Sequence, residues 1–181
     1  AKLSGGVAVI KVGAATETEM KYLKLKLEDA VNATKAAIEE GVVAGGGTAL
    51  IKAAEVARGK MKKSNGDKSV SLQGFDAEYK VGWEILLGAL EAPLRQIVIN
   101  AGKDNFAEII EKVRTTKGNA GYDALQDKIV PDMLAAGIID PVKVTRSGVE
   151  RSASAAAILL TTEVAITDEP EKEKPAMPDM G

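Results

Sequence analysis

Three consecutive glycines, at positions 45, 46 and 47, interrupt a chain that otherwise reads mostly as helices. They lie in the stretch EEGVVAGGGTALI, residues 39–51. Glycine loses more backbone freedom on folding than any other residue, so a run of three works against folding. Such a run fits where the backbone must turn in a space that no side chain fits, or must lie flat against something bound. The acidic end of one helix precedes the glycines, and Thr48 stands where a second helix would start. Backbone N–H groups at a helix start favour an anion. A tight inter-helix turn with close packing explains the same residues. The pattern is neither G-x-G-x-x-G nor a Walker A loop, because no GK[ST] follows.

The elements around the glycines follow from periodicity. Residues 6–12, GVAVIKV, alternate like a strand. From about Thr16, apolar residues recur three or four apart (Met20, Leu23, Leu27, Val31, Ile38), which predicts a helix ending near Gly41. A second helix is predicted from Thr48 to Ala57, then a polar surface loop over 58–74. Residues 76–101 read as helical, with a kink or restart near Ala92 imposed by Pro93. Residues 104–113 form another amphipathic pattern, N-capped by Asp104 or Asn105. A turn and a short extended piece cover 117–125, and a helix is predicted over about 128–136. A long helix follows, with Asp140 as its N-cap and Pro141 in its first position. The charged, proline-rich end, from about residue 167, carries a composition typical of disorder.

Composition narrows the chemistry. The 181 residues predict one compact domain, or one plus part of another. Aromatic residues make up only 3% against 45% hydrophobic, so the core is built from Ala, Val, Ile and Leu, which favours closely packed helices. The net charge is -2 and the basic residues are interleaved with acidic ones, which argues against a nucleic-acid partner. No stretch reaches the roughly 20 apolar residues that span a bilayer, which argues against a membrane role. There is no cysteine and no histidine. Disulfides, thiolate nucleophiles, Cys/His zinc sites and Ser-His-Asp triads are therefore excluded. Catalysis would use carboxylates, lysines, hydroxyls, backbone amides or a hard metal ion.

Three carboxylates are candidates. Asp29 lies mid-helix beside a stripe of small residues, facing either water or a partner that comes close. Asp123, in GYDA, is an ordinary turn residue or a contact. Asp140 is most simply an N-cap.

Six blocks carry a resemblance that joins these features. GGVAVIKVGAATETEMK, EDAVNATKAAIEEGVVAGGGTAL, ALEAPLRQIVINAG, GYDA, GIIDPVKVTRS and AAAILLTTEVAITD occur in this order. Together they closely resemble the C-terminal third of the group I chaperonins, the GroEL/Hsp60 class, over nearly the whole chain.

The resemblance implies a mainly α fold. Residues 41–166 would be the C-terminal half of the helical equatorial, ATP-binding domain. Residues 1–40 would be a small α/β piece of the intermediate domain, and residues 167–181 a disordered tail. It also implies ATP or ADP with magnesium as the ligand. Gly46 would lie close to the ribose, and Asp123, Ala124 and Leu125 would contact the adenine. Asp140 would hold the ribose, and Ile97 and Ile138 would offer apolar surface to the base. Asp29 would be the catalytic acid that swings in at closure and orients the attacking water.

The implied partners are a homo-oligomeric ring of two stacked heptamers, a co-chaperonin of the GroES/Hsp10 type and unfolded polypeptides. The implied location is a bacterial cytoplasm, with a mitochondrial matrix or plastid as alternatives. The phosphate loop and magnesium-binding aspartate of the family do not occur in this sequence and are expected upstream. The chain alone is therefore expected not to turn over ATP. Alternatives are an inactive chaperonin half that acts only in assembly, and a non-functional truncated product. The 58–74 segment is longer than is usual in the family, and Leu125 is bulkier than the small residue often found there.

Overall fold

A computed structural model describes residues 8–64 and 76–168. The chain is mainly helical, as expected, with two short antiparallel strand pairs. Helix α1 spans Glu17–Glu40. Thr16 caps it, its side-chain oxygen accepting from the Glu19 N–H at 3.2 Å, and Gly41 ends it in the left-handed region with φ 85°. No residue of α1 is buried.

Strand β1, Val42–Ala44, leads into the glycine turn, and α2 then runs over Thr48–Ser64. The helix is longer than its sequence pattern predicted, extending through the whole basic run at 60–63 to Ser64, and the rest of the expected loop lies outside the described residues. Helix α3, Asp76–Ala89, stops two residues before α4, Ala92–Asn100, and Pro93 sits in the first turn of α4. The predicted restart near Ala92 is thus where the chain breaks. Helix α5, Phe106–Thr115, has Asn105 at its N-cap but without a side-chain capping bond.

Strands β2, Gly121–Asp123, and β3, Lys128–Val130, form a hairpin. Strand β4, Ile139–Pro141, pairs with β1, and α6 spans Val142–Leu160.

Three sequence expectations are corrected here. Residues 8–12 form no strand and are largely exposed, and residues 6 and 7 lie outside the described residues. The helix expected over 128–136 is instead β3 followed by turns, because Pro131 disfavours helical backbone at Val130 and Ile129 is drawn into the hairpin opposite Tyr122. Asp140 is not a helix cap: it lies in β4, the cap position belongs to Pro141, and α6 begins at Val142.

The core follows from the amphipathic faces. Ile51, Leu94, Val98, Ile109, Ile110, Val113 and Tyr122 form one buried cluster that joins α2, α4, α5 and β2. Ala44, Val130 and Met133 form a smaller one, with Ile138 against it. Lys52 caps the end of α5 by donating to the carbonyls of Val113 and Thr116. Arg114 ties α5 to Glu91 and to Glu55 of α2. Among the described residues no helix is long and apolar enough to cross a membrane.

Candidate functional site

The glycine turn is held by contacts on three sides. Its first member, Gly45, donates its N–H to the Ile138 carbonyl at 2.9 Å. A Cβ on Gly45 would meet the backbone of Ile139 at 3.0 Å. Gly47, with φ 77°, comes against α4, where an added Cβ would lie 2.8 Å from the Leu94 nitrogen. Close packing therefore explains these two glycines.

Gly46 differs. Its φ of 64° disfavours a side chain, yet the nearest atoms to an added Cβ are Met133 Cε at 3.4 Å and the Tyr122 carbonyl oxygen at 3.8 Å. What glycine supplies at position 46 is backbone conformation, since a Cβ there would meet those atoms at ordinary contact distance without a clash.

These contacts bring three candidate segments together. The β1 and β4 ladder sets Val43 opposite Asp140. The bond from Gly45 to Ile138 joins the turn to the segment that leads into Asp140. The Tyr122 carbonyl beside Gly46 precedes Asp123 in β2. A further glycine, Gly121, lets β2 approach the start of α2: an added Cβ there would collide with the Thr48 hydroxyl oxygen. The periodicity of the sequence carried no sign of that approach.

Asp123 is only 7% exposed. Its Oδ1 accepts the N–H of Leu125 at 2.9 Å and of Gln126 at 3.1 Å, so the carboxylate shapes the turn between β2 and β3. The turn reading of this residue is observed, and a contact role would act through the turn it shapes. Ala124 packs on the core, whereas Leu125 is 94% exposed. Ile97 and Ile138 are half-buried.

Asp140, half-buried, forms part of the wall of a groove of about 630 Å³ between α3 and α6. Gly47, Leu86, Pro93 and Val149 are among the other lining residues, so the carboxylate stands in a largely apolar wall. Gly46, Asp123, Ala124 and Leu125 do not line this groove.

Asp29 is apart from the rest. It is exposed on α1, twelve residues before Gly41, or about 18 Å of helix rise. The end of α1 is anchored to α6 by ion pairs of Glu39 with Lys143 and of Glu40 with Arg146. The Arg146 hydrogen bond holds the Glu40 carboxyl below its ordinary range. Among the described residues no three acidic side chains cluster to form a cation site.

The fold and the site define a mainly helical domain organised around a glycine turn that touches both a hairpin and a two-stranded ladder. Residues 1–170 match the TCP-1/cpn60 chaperonin family, and the chain belongs to that family. Its function is accordingly of the chaperonin type: it is a chaperone polypeptide of protein folding. Members are in general oligomeric ATPases that bind unfolded polypeptides.

Proposed function

We propose that this chain supplies the adenine and ribose side of the nucleotide site of an ATP-dependent, ring-forming chaperonin. In the ring, non-native polypeptides would be enclosed and refolded with a co-chaperonin of the GroES type. The observation that carries the reading is the convergence of the glycine turn on two segments, one leading into Asp140 and one into Asp123.

The residues suit the ligand. Gly46 offers backbone without a side chain, Asp140 can accept from two ribose hydroxyls, and Ala124, Ile97 and Ile138 are apolar. A bound nucleotide would supply the phosphoanhydride that is hydrolysed. Asp29, carried on an exposed helix, would orient water only after α1 moves toward the site. Phosphate and magnesium ligands would come from residues outside this sequence.

The test is a titration of the chain with ADP, followed by amide NMR. Shifts concentrated at Gly46, Ala124, Leu125 and Asp140 are expected. Saturable binding that leaves those amides unmoved would overturn the assignment.

The groove between α3 and α6 favours a second reading, an assembly module without turnover, because its lining residues are predominantly apolar. Ring assembly with no ATP hydrolysis by the assembled particle would support that reading over the first.

A further inference from the structure

Two carboxylates hold the turn between β2 and β3. Asp123 holds it from within, through the Leu125 and Gln126 N–H groups. Asp127 ties it to residues beyond the turn. Its Oδ1 accepts the Tyr122 hydroxyl at 2.8 Å, and its Oδ2 pairs with the Lys103 ammonium. Tyr122 is 4% exposed and belongs to the main core cluster. Lys103 follows the end of α4, where its backbone N–H donates to the Val98 carbonyl at 3.2 Å. Asp127 thus ties the last residue of the turn to the core and to the end of α4.

The backbone bears out a special position. Asp127 has φ 49° and is the one non-glycine residue with positive φ among the described residues. Asp and Asn enter that region most readily, because their short side chains bond locally. The clamp's buried half is Tyr122, whereas Leu125, two residues before Asp127, is 94% exposed. What it fixes is the direction in which an exposed turn is presented.

We infer that Asp127 is the positioning residue of this turn, setting through Tyr122 and Lys103 how Ala124 and Leu125 meet a purine base. The inference rests on the proposed role of residues 123–125 in base contact. Lys103 shares the function as the exposed half of the clamp, and Tyr122 as the buried half.

The experiment titrates adenosine into the full chain, with ribose as a control that engages only the Gly46 and Asp140 side. The variants are Asp127→Asn, which keeps the left-handed turn and the Tyr122 acceptor, and Lys103→Met, which leaves Asp127 untouched. Each is expected to raise the adenosine Kd about three- to ten-fold, the cost of ordering a loosened turn on binding. Each should also speed amide exchange at Leu125 and Gln126, while shifts caused by ribose at Gly46 and Asp140 stay as they are. Lys103→Arg, which can still pair with Asp127, should restore the affinity.

If the unaltered chain shows no adenosine-dependent change at the Ala124 and Leu125 amides, the base-contact reading falls and this inference with it. If those changes occur, but both variants bind adenosine as tightly as the unaltered chain, the positioning role alone is overturned. That role also falls if ribose and adenosine lose affinity equally, because the damage would then be general.

Discussion

The Cβ that Gly47 lacks would lie 2.8 Å from the backbone nitrogen of Leu94, at a residue whose φ is already 77°. Leu94 cannot yield easily, because it is fully buried and its backbone belongs to α4. The middle glycine has the same conformational demand without the collision.

Gly47→Ala is therefore expected to destabilise the fold by about 2–5 kcal/mol, adding overpacking to the left-handed penalty. Gly46→Ala should cost only about 1–2 kcal/mol, from the penalty alone. Urea midpoints of the two variants decide this. Equal losses would mean that the approach to α4 is not what Gly47 serves.

Asp29 sits on a helix with no buried residue. Asp29→Asn should leave stability within about 0.5 kcal/mol. In a ring that turns over ATP, it should slow hydrolysis by roughly 10²–10⁴-fold, the range for a positioned acid or base, with nucleotide affinity nearly unchanged. Single-turnover rates and binding isotherms separate the two effects. A loss of affinity with normal turnover per bound nucleotide would remove Asp29 from the chemistry.

Asp123 can be divided from its turn. Asp123→Ala leaves the Leu125 and Gln126 N–H groups without their acceptor and should cost about 1–3 kcal/mol. Asp123→Asn keeps a carbonyl oxygen in the same place and should cost less. Thermal unfolding of the pair tests whether the hydrogen bonds or the charge matter. If the two variants are equally destabilised, the charge matters and the capping account fails.

The end of α1 gives a pH dependence with a definite sign. The Arg146 hydrogen bond, aided by the charges of Arg146 and Lys143, lowers the Glu40 pKa from 4.5. A depressed carboxyl contributes stability that is present above its ordinary value and is lost as the pH falls through its folded value. Relative to Glu40→Gln, the unaltered chain should be more stable at neutral pH, and the gap should close below about pH 4.5. One molar salt should also narrow the gap, since the pair is exposed to solvent screening. A gap that does not change between pH 7 and 3 would mean that the ion pair is not its source.

Much of this molecule was legible before its structure. The three-to-four spacing of Met20, Leu23, Leu27 and Val31 marked α1, and Thr16 and Gly41 marked its ends. Pro93 located the restart of the helix, and the lack of histidine and cysteine limited the possible chemistry. The quoted blocks pointed to the chaperonin family that residues 1–170 match. All of these signals are local, carried by a periodicity, a cap or a residue type.

The site itself was decided by tertiary structure. A three-residue strand has too few positions to show an alternation, so Val42–Ala44 and Ile139–Pro141 become strands only by finding each other. That pairing removed Asp140 from a helix cap and set it opposite Val43, in the wall of the groove. The same limit concealed β3, whose apolar residues also fitted a helix until Tyr122 and Ile129 paired. The glycine run announced that some close approach must occur, but not to what. Only the packed chain sets Leu94 against Gly47, Ile139 against Gly45 and Met133 at ordinary contact distance from Gly46, because those distances depend on helices and strands remote in sequence.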